Sequence, residues 1–312
     1  MKSNSLQQTT YEYYSSSIVD EWLKYVYIDE TDAGHFPFGA ARRLVLSKAI
    51  ERNNIKGQFA LDVGCGGGQL SIELAKAGFN VEGIDFSDKM LAHAQKIINE
   101  EHLSNKVKFR QADFLELKPS DFKHSANLAI AMGFIEYFND ENIFFQNVES
   151  FLVNKGYLIV EFRNRAFNIA SANQFTIKEA NNGELETLVN AFQDYLQGTE
   201  INQDTYLEYL DQMSQVNALL KADTSEFNTP ILTKTFPTTR RQHILKDLVN
   251  TASQNGFKLV DTLGMHPHPF FPILEQRGTR AFNKIAWALQ CIPWNPLVVL
   301  NCSSIVAVFQ KN

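Results

Sequence analysis

Short apolar runs alternate with helical periodicity along most of this chain, the pattern of an α/β domain. Phe59-Ala-Leu-Asp-Val63 reads as a buried strand, and a helical pattern with Leu70, Leu74 and Ala77 on one face follows it. Val81 to Asp85 and Val107 to Phe114 read as the second and third strands. Between them Ser87-Asp88 caps a helix from Lys89 to Glu100 that turns Met90, Ala94 and Ile97 inward. Asn127 to Met132 is almost wholly apolar, as a central parallel strand is. A helix over Asp140 to Val153, a turn at Asn154-Lys155-Gly156 and a fifth strand from Tyr157 to Phe162 come next.

The pattern then changes. Residues 166–239 hold no strong strand–helix unit, and stretches near Leu185 to Leu196 and Thr205 to Leu220 have helical character. So long a segment is rarely plain loop, which predicts a helical insertion. A helix opening at Thr238-Thr-Arg-Arg-Gln-His243 runs to Gln254, and Asn255-Gly256-Phe257 turns into a sixth strand, Lys258 to Leu263. A proline-stiffened loop over Met265 to Pro272, a helical excursion over Leu274 to Leu289 and a last strand, Ser303 to Phe309, complete the chain. Before the first strand, Ile18, Trp22 and Tyr25 fall at helical spacing in a tyrosine-rich stretch over residues 9–30, and a second helix spans Ala40 to Arg52. The first of these helices reads either as core packing or as a lid over a ligand with Tyr14 pointing in.

Composition narrows the partners. The 312 residues are 44% hydrophobic, enough for a sizeable core, and the net charge of −6 with no run of Lys and Arg argues against nucleic acid. Cys65, Cys291 and Cys302 lack metal-binding spacing, so no metal is expected, and so sparse a set suits reduced thiols in a cytoplasmic protein. The N-terminus has no apolar leader, and the apolar region from Ile285 to Phe309 is broken by Pro293 and Pro296, so no membrane span is expected.

The candidate chemistry sits on the first three strands. Gly64-Cys-Gly-Gly-Gly68 follows the first strand and opens a helix, the arrangement that lets backbone approach a ligand beside free N–H groups. Asp62, Asp85 and Asp113 bring an acid to the end of three successive strands, on the edge where open α/β sheets bind ligands. At this point the chain resembles the class I S-adenosylmethionine-dependent methyltransferases, small-molecule type, over roughly Phe59 to Arg163. The resemblance implies a doubly wound Rossmann-like seven-stranded mixed sheet whose last strand is antiparallel, with a helical N-terminal lid and a helical insertion. It divides the chain into a lid at 1–58, a cofactor-binding core at 59–165, a cap at 166–239 and the rest of the core at 240–312, with an excursion at 266–302. The implied cofactor is S-adenosyl-L-methionine. Gly64, Gly66 and Gly68 would shape the turn around its methionine and ribose, Cys65 being a small residue that fits there. Asp62 would orient the turn or meet the amine, Asp85 would take the ribose hydroxyls, and Asp113 would accept from the adenine amino group with Ala112 and Phe114 beside it. Tyr14, Arg42, Phe86, Met90 and Met132 would complete the cofactor set; Arg42 or its neighbour Arg43 reads either as a partner for the methionine carboxylate or as a solvent-exposed side chain, and Met90 either as a flank of the adenine or as core packing.

The loop Gly133-Phe-Ile-Glu-Tyr-Phe138 corresponds to that family's methyl-transfer edge. Gly133 would keep its floor low, and Tyr137 and Arg163 would face a small-molecule acceptor. Glu136 reads either as a catalytic base or substrate-binding group or as a solvated loop carboxylate. His266 and His268, alternating with prolines after the sixth strand, read either as a general base for the acceptor or as structural hydrogen-bonding groups. The expected reaction is methyl transfer to an O or N nucleophile by a monomer or homodimer. Two rivals fit the glycine turn: a nicotinamide-dependent Rossmann oxidoreductase, and a non-catalytic methyltransferase-fold binding subunit.

Overall fold

Each apolar strand run divides its side chains between two faces, and both faces are covered. The computed structural model describes residues 36–172, 174–221, 240–272 and 279–312, together with residues 10, 12–14 and 23. Strands β1 (Phe59–Val63), β2 (Asn80–Asp85), β3 (Val107–Gln111), β4 (Ala126–Met132), β5 (Leu152–Arg163), β6 (Phe257–Pro267) and β7 (Cys302–Lys311) form one seven-stranded sheet in the order β3-β2-β1-β4-β5-β7-β6. The pairs from β3 through β5 are parallel, and β7 runs antiparallel between β5 and β6, so the mixed, doubly wound sheet is as expected. Chain order reverses between β1 and β4, which opens a crevice at the carboxyl ends of these strands.

Ala60, Leu128, Ile130 and Ile159 pack on one face against helix α1 (Phe38–Arg52) and helix α2 (Gln69–Lys76), through Val45, Leu46, Ala49 and Leu74. Their sequence neighbours Leu61, Ala129 and Leu158 face the other way, onto Phe144, Phe145 and Val148 of α4 (Glu141–Phe151) and Leu248 of α9 (Leu245–Gln254). Helix α3 (Asp88–Glu100) begins at Ser87, whose Oγ accepts the Met90 N–H at 3.3 Å. The described part of the insertion is helical: α5 (Asn168–Ser171), α6 (Gln174–Asn181), α7 (Leu185–Gln197) and α8 (Gln203–Lys221). Tyr209 and Met213 of α8 pack on a cluster built from α10 (Thr279–Gln290) and α11 (Pro296–Leu300). Most of the tyrosine-rich stretch at 9–30, the segments 222–239 and 273–278, and with them Ile18, Trp22 and Tyr25, lie outside the described residues.

Three local expectations change. Strand β5 starts at Leu152, opposite Ala126, and crosses 154–156 through a register shift, so those residues are bulged strand and not a turn. Residues 240–243 are extended. His243 N–H donates to the Arg163 carbonyl at 2.9 Å and Arg241 N–H to the Glu136 carbonyl at 2.9 Å, which holds the helix start back to Leu245. Strand β6 continues to Pro267 because β7 pairs with it as far as Cys302, so His266 belongs to the sheet and not to a loop.

Gly264 marks the tightest packing on β6. A Cβ there would lie 2.5 Å from Cys302 Sγ and 3.1 Å from the backbone of Val299 on α11. Gly264→Ala is therefore expected to destabilise the protein by about 1–3 kcal/mol in denaturant unfolding, and an unchanged midpoint would mean that α11 can move away freely.

Candidate functional site

The glycine turn after β1 is tied to the end of β2. Gly64 and Cys65 N–H both donate to the Ile84 carbonyl, at 2.8 and 3.0 Å. Gly64 has φ +70°, and a Cβ on it would fall 2.3 Å from the Phe134 ring, so only glycine lets the loop after β4 close over the turn. Asp85 then locks the geometry. Its Oδ2 accepts from Gly66 N–H and its Oδ1 from Ser87 N–H, each at 2.9 Å. Asp62, buried at the end of β1, accepts from Ser71 Oγ of α2 at 2.7 Å. Asp113 accepts the Leu115 N–H at 3.0 Å.

All three acids line one cavity of about 860 Å³, near the upper end of the ~300–1,000 Å³ usual for small-molecule sites. Burial pushes the Asp62 carboxyl up to about 7 and the Asp85 carboxyl up to about 6, against which their hydrogen bonds act only in part. Carboxylates so placed are open to further donors, such as an ammonium or a pair of hydroxyls. Gln69, the first residue of α2, adds a buried Oε1 with no partner among the described residues. The acids and Gln69 together form an acceptor-rich wall.

The wall beyond β4 has a different character. Gly133 has φ +74°, and a Cβ on it would meet Arg42 Nη2 at 2.8 Å, so the glycine lets Arg42 reach the cavity from α1. Arg42 is bidentate on Glu161 of β5, at 2.7 and 3.2 Å. Glu136 is buried between two guanidinium groups, 3.2 Å from Arg163 Nε and 3.5 Å from Arg240 Nη1. Tyr14 reaches across from the N-terminal segment: its hydroxyl lies 2.8 Å from the Tyr137 hydroxyl, and its carbonyl accepts from Ser87 Oγ at 2.7 Å. Burial raises the pKa of both phenols, so they stay protonated near neutral pH.

Of the residues singled out in the sequence, Tyr14, Arg42, Asp62, Gly64, Cys65, Gly66, Asp85, Phe86, Met90, Ala112, Asp113, Phe114, Met132, Gly133, Glu136 and Tyr137 line this cavity. Four do not. Gly68 caps α2 and faces Ala94 and Phe109. Arg163 reaches the site only through Glu136. His266 and His268 are buried in a ring-packed nest, with His266 4.4 Å from Phe36 and 4.6 Å from Phe38, and His268 4.8 Å from Phe167. Burial holds His266 well below the ordinary imidazole value and takes His268 to about 4, so both are neutral near pH 7, and neither lines the cavity. Cys65 is no nucleophile either, since burial, Asp62 and Asp85 push its thiol well up.

Sequence reasoning passed over Gln69, Gln111, Phe134, Phe138 and Arg240, all of which line the cavity. Gln69 was the easiest to find, as the first side chain after the glycine turn. Arg240 follows the insertion, and nothing local in Arg240-Arg241 marks it as a site residue. Among the described residues no group of three or more His, Cys, Asp or Glu could hold a metal ion, and no helix is long and apolar enough to cross a membrane.

The family whose profile matches residues 55–214 is described as a methyltransferase domain. The chain is 34% identical over 116 residues to the ubiquinone biosynthesis O-methyltransferase of Actinobacillus pleuropneumoniae serotype 7 (strain AP76), covering 36% of this chain and 49% of that one. It is 30% identical over 138 residues to the putative methyltransferase YqeM of Bacillus subtilis (strain 168), covering 44% and 52%. The chain thus spans about half the length of the curated relatives it matches. In fold it is similar to magnesium protoporphyrin IX methyltransferase from Synechocystis PCC 6803, solved with bound SAH, with a TM-score of 0.57, 16% identity and coverage of 99% of this chain and 100% of that chain.

Asp62 and Asp85 bind protons more tightly folded than unfolded, where a carboxyl has its ordinary value of 3.8. The unfolded state therefore holds fewer protons, and the contribution of these groups to ligand-free stability is full below about pH 4 and is lost as pH rises toward 7. Asp62→Asn removes the larger share, so its stability should fall less than that of wild type between about pH 5 and 7.5 in denaturant unfolding. An equal or steeper fall in the variant would contradict the assigned shift.

Proposed function

We propose that this chain, which belongs to the methyltransferase-domain family, is of the class I S-adenosylmethionine-dependent type and transfers a methyl group from S-adenosylmethionine to an oxygen or nitrogen nucleophile of a small molecule. The observation that carries this reading is the convergence of Asp62, Asp85 and Asp113 on one cavity beside an unpartnered Gln69 Oε1. That wall fits the donors of the cofactor group by group. Asp85 takes the ribose hydroxyls with the lone pairs that Gly66 and Ser87 leave free. Asp113 accepts from the adenine amino group, with Ala112, Phe114 and Phe86 around the ring. Asp62 and Gln69 receive the ammonium, and Arg42, which lines the cavity while paired with Glu161, meets the methionine carboxylate. The cofactor supplies an activated methyl on a positively charged sulfur. The chain holds the acceptor in line with it beneath Tyr14 and Tyr137 and keeps water out.

Oxygen is the favoured acceptor atom, because one of the relatives with the most extended similarity is named an O-methyltransferase. The nicotinamide reading leaves Asp113 without a role, and the family profile that matches the chain is a methyltransferase domain.

Thermal shift and calorimetry with S-adenosylhomocysteine and NADH test the reading. S-Adenosylhomocysteine should bind and raise the melting temperature while NADH does neither. Asp85→Ala should weaken binding of S-adenosylhomocysteine about tenfold or more, as loss of charge-assisted hydrogen bonds does. Stabilisation by NADH alone would overturn the assignment.

A further inference from the structure

We infer that the acceptor enters the reactive end of this cavity as an oxyanion, a carboxylate or an ionised phenol, and that Arg240 is the residue that receives it. The inference rests on the methyltransferase reading above. Arg240 lines the cavity from the extended segment after the insertion, with a side chain 19% exposed. Its guanidinium carries five N–H donors in a fixed fork. Among the described residues its one carboxylate partner is Glu136, at 3.5 Å, longer than a good charge-assisted hydrogen bond. Glu136 is itself shared, with its other oxygen 3.2 Å from Arg163 Nε. Arg42 differs, because Glu161 holds its guanidinium at 2.7 and 3.2 Å. Arg240 is therefore the incompletely matched cation of this wall. It lies 5.9 Å from the Tyr137 ring centre, beside the paired hydroxyls of Tyr14 and Tyr137.

A second observation concerns proton removal. Among the described residues that line the cavity there is no histidine and no lysine. Glu136 is engaged by two arginines. Asp62, Asp85, Asp113 and Glu116 stand on the side formed by β1, β2 and the segment after β3. The phenols of Tyr14 and Tyr137, bonded to each other, are held protonated by burial and are no bases near neutral pH. Among the described residues, an alcohol or protonated amine acceptor has no base beside it. An oxyanion needs none. Its lone pair forms the new O–C bond, the C–S bond breaks with its electrons going to sulfur, and no proton, oxidant or reductant takes part. A negative oxygen and a positive sulfur become two neutral products, a charge cancellation that is favoured where water is excluded.

Calorimetry on the full chain saturated with S-adenosylhomocysteine tests this, with benzoate and 4-nitrophenolate as oxyanion probes and benzamide and 4-nitroanisole as their neutral counterparts. Wild type should bind at least one oxyanion about tenfold or more tighter than its counterpart. A preference confined to benzoate identifies a carboxylate site, and one confined to 4-nitrophenolate a phenolate site. Arg240→Gln should abolish the preference while affinity for S-adenosylhomocysteine stays within about twofold. Arg240→Lys, which keeps the charge and loses the fork, should retain part of it. Equal binding of charged and neutral probes by wild type overturns the inference, as does a preference that survives Arg240→Gln. A matching loss of S-adenosylhomocysteine affinity in both variants also overturns it, by moving Arg240 to the cofactor. Failure of wild type to bind S-adenosylhomocysteine at all would instead remove the methyltransferase reading beneath it.

Discussion

A single carboxylate between two backbone N–H groups sets the geometry of this molecule. Asp85 joins Gly66, in the turn after β1, to Ser87, at the start of α3. Because the same turn also donates twice to Ile84, the ends of β1 and β2 and the starts of two helices become one rigid unit. Burying an acid in this way is unfavourable unless its lone pairs find donors. Gly66 and Ser87 supply two of those donors, and the carboxyl also lines the cavity. The site is thus pre-organised and electrostatically incomplete, which is a favourable condition for binding a ligand rich in hydroxyl and ammonium groups.

The cavity is polarised along the order of the strands. Acids crowd the side formed by β1, β2 and the segment after β3, while Arg42 and Arg240 lie toward β4, β5 and the extended segment that pairs with Arg163. Tyr14 spans the two halves, bonded to Ser87 on one side and to Tyr137 on the other. A ligand with a cationic centre between a polyhydroxylated ring and an anionic neighbour would meet matching charge at every point. The insertion reaches the same region through Arg165, which is bidentate on Glu179 of α6 and whose N–H pairs with the His243 carbonyl two residues from Arg241.

What could be read from the sequence was what is local. The five residues from Phe59 to Val63, the glycine turn and the strand-end acids each announce themselves within a dozen positions, since burial on both faces demands apolar runs and a close backbone approach demands glycine. The Arg240 contact could not be read this way, because it depends on where a chain of some seventy residues re-enters the sheet edge, and only pairing with Arg163 and Glu136 decides that. His266 and His268 were misleading for the same reason. Alternation with proline suggested a loop, but pairing with β7 extends β6 through Pro267 and turns the rings into the aromatic packing around Phe36, Phe38 and Phe167.

The most direct measurement is a crystal structure of the protein with S-adenosylhomocysteine. The predicted result has the ribose hydroxyls on Asp85, the adenine between Phe86 and Phe114 with its amino group at Asp113, and the sulfur facing Tyr137 and Arg240. A nucleoside bound away from these three acids, or a sulfur buried against β3 with no path to Arg240, would contradict it.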